Sequence, residues 1–203
     1  MKVIKIVVTG GPCGGKSTAL ADIKERAESL GFRVLTVGET ATELIGGGVA
    51  PWTCGSNAQY QGCQIRLQLA KEAIFASGAA TMDAARVLIV CDRGLLDNKA
   101  YMTDAEFAEV LAELGMTEDE WLCRYDAVFH LVTAALGAEA FYTTANNSAR
   151  TETVDEARVV DARLREAWSA HPRQIVIGNE GSFSDKMQRL LDEITRLLRE
   201  VEE

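Results

Sequence analysis

The chain has 203 residues, a net charge of -9 at pH 7 and 47% hydrophobic residues. Its acidic balance argues against a general nucleic-acid-binding surface, and no apolar run is long enough to span a membrane. The length fits a single domain with a complete core, which we expect to cover residues 1–203. The five cysteines are scattered without C-x-x-C spacing, which favours reduced thiols and a cytoplasmic location over disulfides or a zinc site.

The first predicted elements are a strand, a glycine-rich loop and a helix. Residues 3–8 form a β-branched, nearly all-apolar run that is typical of a strand buried in a parallel sheet. The stretch GGPCGGKST then fits G-x-x-x-x-G-K-[ST], and residues 18–30 carry one apolar helical face. This order of elements is the context that a P-loop requires, so we expect a nucleoside triphosphate to bind here. The alternative, a glycine-rich turn that matches by chance, does not account for the flanking strand and helix.

Each part of a P-loop has its own role at the phosphates. Backbone N–H groups of the loop and the positive end of the helix bind phosphate oxygens. Lys16 would reach the β- and γ-phosphates of ATP or GTP, and the Ser17 hydroxyl would bind Mg²⁺. The residues expected to contact the nucleotide in this loop are Gly11, Pro12, Cys13, Gly14, Gly15, Lys16, Ser17 and Thr18.

Further along the chain, apolar runs alternate with helical patterns. The predicted strands cover residues 32–39, 85–94, 126–134 and 173–179. The predicted helices lie near residues 57–77, 104–115, 154–169 and 183–201. This alternation predicts an α/β fold with a doubly wound, mostly parallel five-stranded sheet, in which ligands bind at the carboxyl ends of the strands.

Charged and polar residues follow several of these strands directly. Asp92 ends the strand VLIVCD, a Walker B pattern whose carboxylate can hold Mg²⁺ opposite Ser17, with a helix N-cap as the alternative. Arg93 comes next and would direct its guanidinium at the same phosphates. Asn179 ends the last strand, and we expect the nucleotide base near residues 179–183.

Glu39 ends the second predicted strand and is a candidate catalytic base. A carboxylate at that position would face the hydroxyl group of a small acceptor in a kinase of this architecture. The alternative is that Glu39 caps the helix that the following residues begin. Asp97 could serve as the base instead of Glu39.

The histidines and tryptophans give weaker evidence of a functional role than the residues above. His130 lies inside an apolar strand and His171 precedes a proline, so we expect structural roles for both. Trp52, Trp121 and Trp168 are expected to be packing residues, with a place in an acceptor pocket as the alternative for Trp52.

A lid is predicted at about residues 141–153, because this stretch has neither strand nor helix periodicity and follows the fourth strand. Arg150 could close over the γ-phosphate and stabilise the charge that develops during transfer. The alternative is a solvent-exposed arginine that pairs with Glu152 or Asp155.

The segments GGPCGGKST, CDRGLLDNKAYM, RYDAVFHLVTAALGAEAFYT, NNSARTETVDEARVVDARLREAWSAHP and NEGSFSDKMQRLLDEI together resemble a small P-loop ATPase/kinase-like family classed with AAA domains. The family is related to the nicotinamide-riboside and deoxynucleoside kinases, and some eukaryotic members carry an added domain of triphosphate-tunnel type. The resemblance implies a kinase-like fold with Lys16, Ser17 and Asp92 at the nucleotide and Mg²⁺. It also aligns Arg150 with the arginine of the family's R-x-E motif.

From the residues and this resemblance we expect a Mg²⁺-dependent, ATP-binding phosphotransferase. Its acceptor would be a small hydroxyl-bearing molecule such as a nucleoside-like metabolite. One alternative is a nucleotide-dependent switch or binding module that hydrolyses ATP or GTP slowly. Another is a component that works with a separate partner domain, which the amphipathic last helix could dock.

Overall fold

The computed structural model describes residues 1–139 and 153–200. Five strands form one sheet in the order β2-β3-β1-β4-β5, and every described pairing is parallel. The strands are β1 (Lys2–Thr9), β2 (Arg33–Val37), β3 (Arg86–Asp92), β4 (Ala127–Leu131) and β5 (Gln174–Ile177). Strands β2 and β3 lie on one side of β1, and β4 and β5 lie on the other side. The strand order therefore changes direction at β1.

Helices cover both faces of this sheet. Within the described residues they are α1 (Lys16–Ser29), α2 (Thr40–Gly46), α3 (Asn57–Ala80), α4 (Asp104–Leu114), α5 (Glu118–Leu122), α6 (Val154–Ala167) and α7 (Phe183–Glu200). On one face, Ile6 packs in a core with Ile23 of α1 and Leu190 of α7. On the other face, Val7 packs in a core with residues of α3, α4 and α5. Successive residues of β1 therefore point into opposite cores, which is why the strand is apolar along nearly its whole length.

The predicted doubly wound fold is confirmed, and the described sheet is parallel throughout. Every predicted strand is present, and β2 to β5 each end two or three residues before the predicted bound. The sequence did not predict α5 or the 3₁₀ helix Leu95–Tyr101, because both are too short to show a helical period. No helix within the described ranges is long and apolar enough to cross a membrane.

The histidines and two of the tryptophans are buried, as expected. His130 and His171 lie in the interior, and Trp121 and Trp168 are fully buried in the core beneath α3 and α4. Trp52 is 74% exposed, so our expectation that it packs in the protein was wrong.

Candidate functional site

The glycine-rich loop between β1 and α1 is pressed against the end of β4. Gly10 has a φ of 139°, and a Cβ atom built on it would lie 2.0 Å from the carbonyl oxygen of Leu131. A Cβ atom on Gly14 would lie 2.6 Å from the same oxygen. The loop conformation therefore requires glycine at these two positions.

The backbone donors of the loop divide into two groups. The N–H of Gly11 donates to Oδ1 of Asp161 at 2.9 Å, and Pro12 has no N–H, so these two residues shape the loop. Helix α1 starts after Gly15 with no side-chain cap, which leaves the first-turn N–H groups of residues 16–18 without intrahelical partners. These groups, with the positive end of the helix, make an anion site at the second half of the loop.

Lys16 is the first residue of α1, where this anion site lies. Its Nζ atom is 3.5 Å from the carbonyl oxygen of Gly10. Burial and the neighbouring Arg93 guanidinium lower the pKa of Lys16 to about 8, although Asp92 and Glu39 oppose the shift. An ammonium group in this position gains a strong partner when a phosphate enters.

Asp92 and Ser17 are suited to holding Mg²⁺ at a bound triphosphate. Asp92 lies beside Val8 in the pairing of β1 with β3, so its side chain starts next to the loop. Its Oδ1 atom is buried without a hydrogen-bond partner, and burial raises its pKa. Among the described residues no cluster of three or more His, Cys, Asp or Glu could hold a metal by itself. A carboxylate oxygen without a partner is a ligand that Mg²⁺ prefers, and Mg²⁺ usually takes its other ligands from phosphates and water.

Arg93 joins the ends of β2 and β3 to the loop. Its Nε atom donates to Oε1 of Glu39 at 2.7 Å, and its Nη1 atom lies 3.3 Å from Oδ2 of Asp97 and 3.4 Å from the carbonyl oxygen of Gly10. The backbone of Arg93 has a φ of 72°, which is uncommon for a residue other than glycine and concentrates at functional sites. The guanidinium therefore reaches the phosphate site from a strained but well-anchored position.

The two candidate bases have different surroundings. Glu39 is partly exposed, and it accepts from Arg93 and from the Thr42 hydroxyl at 2.7 Å. Burial would raise its pKa, but these two partners and Lys16 outweigh burial and lower the pKa to about 2. Asp97 is buried, and its oxygens accept from Thr9 at 2.7 Å, from Trp168 at 2.6 Å and from Arg93. Asp97 thus has both oxygens engaged inside the protein, whereas Glu39 is open on one side.

Neither Glu39 nor Asp92 caps a helix with its side chain. Glu39 occupies the position before α2, yet its carboxylate makes no capping hydrogen bond to the helix backbone. The 3₁₀ helix that follows Asp92 starts after Gly94, which has no side chain to cap it. The geometry thus disfavours the capping alternative at both positions.

Tyr60, on α3, carries a buried hydroxyl group near enough to Glu39 to feel its charge. Its hydroxyl group is buried without a hydrogen-bond partner, and the residue is only 2% exposed. Burial raises the pKa of Tyr60 to about 12, and the charges of Cys54, Glu39 and Tyr101 add to the shift. A buried hydroxyl without a partner is rare in native proteins and is usually completed by a water, an ion or another bound group.

Asn179, at the end of β5, is engaged within the protein. Its Nδ2 atom donates to the carbonyl oxygens of Thr133 and Leu136 at 2.8 and 2.7 Å, and its Oδ1 atom accepts from Lys186 at 2.8 Å.

An open groove of about 640 Å³ runs along β5 and α7, and Asn179 is one of the residues that line it. None of residues 10–18 lines this groove. The ring of Phe183 lies against Gly15, which brings the start of α7 to the loop.

Sequence reasoning missed the residues that support the loop from behind. Oδ1 of Asp161 accepts from the N–H groups of Gly11 and Thr133, both at 2.9 Å, and the Thr133 hydroxyl donates to the carbonyl oxygen of Pro12 at 2.5 Å. His130 Nε2 lies 3.2 Å from Asp161 Oδ2, in ion-pair range but without the alignment of a hydrogen bond. A polar residue on the apolar face of α6 was the available signal, since Asp161 falls between Ala157 and Leu164.

Two predictions fall outside this geometry. Arg150 and nearly all of the predicted lid, residues 141–153, lie outside the described residues. Their roles stay predictions.

Comparison with known proteins agrees with the fold. A family model described as an AAA domain matches residues 5–186. A deoxyadenosine kinase from M. mycoides, solved with bound dATP, matches with a TM-score of 0.59 and 13% identity over 95% of this chain and 100% of that one. At that identity the likeness shows a shared P-loop kinase fold. No curated protein matches the chain.

Proposed function

Because the chain belongs to this AAA-domain family of small P-loop, kinase-like proteins, we propose that it is a Mg²⁺-dependent phosphotransferase. It transfers the γ-phosphoryl group of ATP, or of GTP, to a small hydroxyl-bearing acceptor, with a nucleoside-like metabolite as the leading candidate. The nucleotide phosphates bind the N–H groups at the start of α1 and the ammonium group of Lys16.

The observation that carries the proposal is the Glu39 carboxylate beside the phosphate site. A carboxylate repels phosphate unless a metal ion lies between them, and Asp92 already supplies the carboxylate proposed for Mg²⁺. Glu39 is nevertheless fixed by Arg93 at 2.7 Å and stays partly exposed. An acceptor hydroxyl group between Glu39 and the γ-phosphate would explain its position, because the carboxylate can accept the hydroxyl hydrogen.

Transfer then follows from the positions of these groups. The acceptor oxygen attacks the γ-phosphorus, the bond from that phosphorus to the β–γ bridging oxygen breaks, and the hydroxyl proton passes to Glu39. Lys16 and Arg93 stabilise the negative charge on the transferring group. Ser17 and Asp92 would hold Mg²⁺, which neutralises charge on the β- and γ-phosphates. The low pKa of Glu39, about 2, suits a base that mainly orients the acceptor and takes the proton late.

The polar groups around Glu39 support an acceptor with more than one polar substituent. The buried Tyr60 hydroxyl, which has no partner among the described residues, would make a second hydrogen bond to an acceptor that reached it. Arg150 would close over the γ-phosphate, as its place in the predicted lid suggests. The nucleotide base would lie near residues 179–183, where the Asn179 side chain is already engaged and the backbone would supply the contacts.

The test is a panel of nucleosides, vitamins and sugars incubated with the protein, ATP and Mg²⁺. ADP release above the rate without acceptor identifies a substrate, and Lys16→Ala is the control for contaminating kinases. An acceptor that raises turnover in the wild type alone supports the proposal. A full panel without any such acceptor would overturn it in favour of the nucleotide-dependent switch.

A further inference from the structure

Gln68, on the inner face of α3, connects the two elements that carry the Glu39–Arg93 pair. The residue is 4% exposed. Its Oε1 atom accepts from the Thr40 hydroxyl at 2.5 Å. Its Nε2 atom donates to the carbonyl oxygen of Arg93 at 3.3 Å and to Oε1 of Glu72 at 3.0 Å. One buried amide thus bonds the residue after Glu39 and the backbone of Arg93.

A second residue of α3 holds Glu39 from its other side. Lys71 donates from Nζ to the carbonyl oxygen of Gly38 at 2.6 Å. Gly38 and Thr40 are the chain neighbours of Glu39, so side chains of α3 fix the backbone immediately before and after the carboxylate. The position of Glu39 therefore depends on α3 as well as on its own strand.

The hydrogen bond from Gln68 to Arg93 is made at a strained part of the backbone. Arg93 has a φ of 72°, a conformation that persists only when surrounding contacts stabilise it. The hydrogen bond from Gln68 to the Arg93 carbonyl oxygen is one such contact. Loss of this bond would allow the guanidinium to leave Glu39 and the carbonyl oxygen of Gly10.

The orientation of the Gln68 amide is set by Glu72. This carboxylate is fully buried and accepts from Lys5 at 2.9 Å, from the Tyr125 hydroxyl at 2.6 Å and from Arg124 at 3.4 Å. An ionised carboxylate only accepts hydrogen bonds, so Gln68 must turn its NH₂ group toward Glu72 and its oxygen toward Thr40. The network leaves one arrangement for the amide.

From these contacts we infer that Gln68 is a positioning residue, which holds Glu39 and Arg93 in the geometry needed for phosphoryl transfer. The inference rests on the proposed function for its consequence in catalysis. Its structural part stands on the hydrogen bonds of Gln68 and can be tested without an acceptor.

The experiment compares Gln68→Leu with Gln61→Leu. Gln61 is 3% exposed on the same helix, and within residues 1–139 and 153–200 its side-chain hydrogen bonds join it to Asn57 and Gln64 of α3 alone. The first readout is the slowly exchanging Nε–H resonance of Arg93 in ¹⁵N NMR spectra, assigned by its loss in Arg93→Lys. Single-turnover transfer to an identified acceptor is the second readout.

We expect the Arg93 resonance to be lost in Gln68→Leu and kept in Gln61→Leu. Transfer should fall by about 10²-fold in Gln68→Leu, more than ATP affinity does, since small displacements of reacting groups have effects of that size. A retained resonance in folded Gln68→Leu, or its loss in both variants, would overturn the inference.

Two further results keep the test decisive. If Gln68→Leu does not fold, Thr40→Val removes only the Thr40 hydrogen bond, and an unchanged Arg93 resonance in that variant counts against the inference. If no acceptor is phosphorylated, the proposed function fails, while the resonance still decides whether Gln68 positions the pair.

Discussion

Arg93 and Glu39 are 54 residues apart in the chain and meet through a 2.7 Å hydrogen bond between Nε and Oε1. They meet because β2 pairs with β3 in parallel, which places the carboxyl ends of both strands at the same edge. The contact with Arg93 keeps the Glu39 carboxylate ionised next to the phosphate site. The Arg93 guanidinium also offsets part of the repulsion between this carboxylate and phosphate. Glu39 can therefore lie close to a transferring phosphoryl group.

The pH dependence of nucleotide binding should report on Lys16. Its pKa is lowered to about 8 by burial and by Arg93, and phosphate binds the protonated ammonium. Affinity for ATP should therefore be flat below that pKa and should fall by up to about tenfold per pH unit above it. Isothermal titration calorimetry across this range measures the effect.

Lys16→Arg is the control for this pH dependence, because a guanidinium does not titrate in the range. Its affinity should not decline through the same pH interval. The pKa of Lys186 is also lowered to about 8, by burial. An equal decline in wild type and Lys16→Arg would assign the titration to Lys186 and contradict the prediction.

The phosphate and magnesium roles can be separated by three substitutions. Lys16→Ala should abolish turnover, whereas Ser17→Ala and Asp92→Asn should mainly weaken the Mg²⁺-dependent part of nucleotide binding. Calorimetry with ATP in the presence and absence of Mg²⁺ distinguishes the two effects. Unchanged affinity in all three variants would rule out this nucleotide site.

Asp161→Ala should lower both stability and ATP affinity. The substitution leaves the buried N–H groups of Gly11 and Thr133 without their acceptor, at about 1–3 kcal/mol for each group. Asp161→Asn keeps an oxygen in place and should have a smaller effect. Glu166→Ala, at an exposed position of the same helix, is the control. Equal ATP affinity in wild type and Asp161→Ala would show that the loop does not depend on Asp161.

Local patterns were sufficient to predict much of the fold and of the loop. The β-branched run before Gly10 and the helical face after Lys16 are contiguous in sequence, so the P-loop could be identified from neighbouring residues. Asp92 and Glu39 were found because each ends an apolar strand, and parallel strands bring such ends together.

The supporting residues could not be predicted in the same way, because their partners are distant in sequence. Asp161 bonds an amide 150 residues away, and Gln68 bonds residues 28 and 25 positions away. On α3 the inner face includes Gln68 and Glu72, so polar residues occupy positions that an amphipathic pattern assigns to the surface. Only the folded chain shows which polar residues lie inside.

Cys13, in the loop, should be protected from alkylation by bound nucleotide. The thiol is half-buried, whereas Cys63 and Cys123 are exposed and serve as internal references. Mass spectrometry after limited alkylation should show less label on Cys13 in the presence of ATP and Mg²⁺, with unchanged label on the two references. Equal labelling of Cys13 in both conditions would mean that nucleotide does not cover it.

Glu39→Gln should separate a kinase from a switch. The substitution preserves size and removes the charge, so nucleotide binding at the loop should survive. If Glu39 orients an acceptor hydroxyl and takes its proton, single-turnover transfer should fall by about 10²–10⁴-fold, the usual contribution of a positioned base. In a switch there is no acceptor, and both affinity and basal hydrolysis should stay near their wild-type values.

Thr42→Val is the control for this last prediction, because it removes a hydrogen bond to Glu39 and leaves the carboxylate and its contact with Arg93. Its transfer rate should fall less than that of Glu39→Gln, since the carboxylate and its hydrogen bond from Arg93 both remain. Wild-type transfer by Glu39→Gln would exclude Glu39 as the base.

Asp97 would then be tested next, although its oxygens already accept from Thr9, Trp168 and Arg93. These contacts lie inside the protein, where Asp97 is buried, so Asp97→Asn should alter stability as well as transfer.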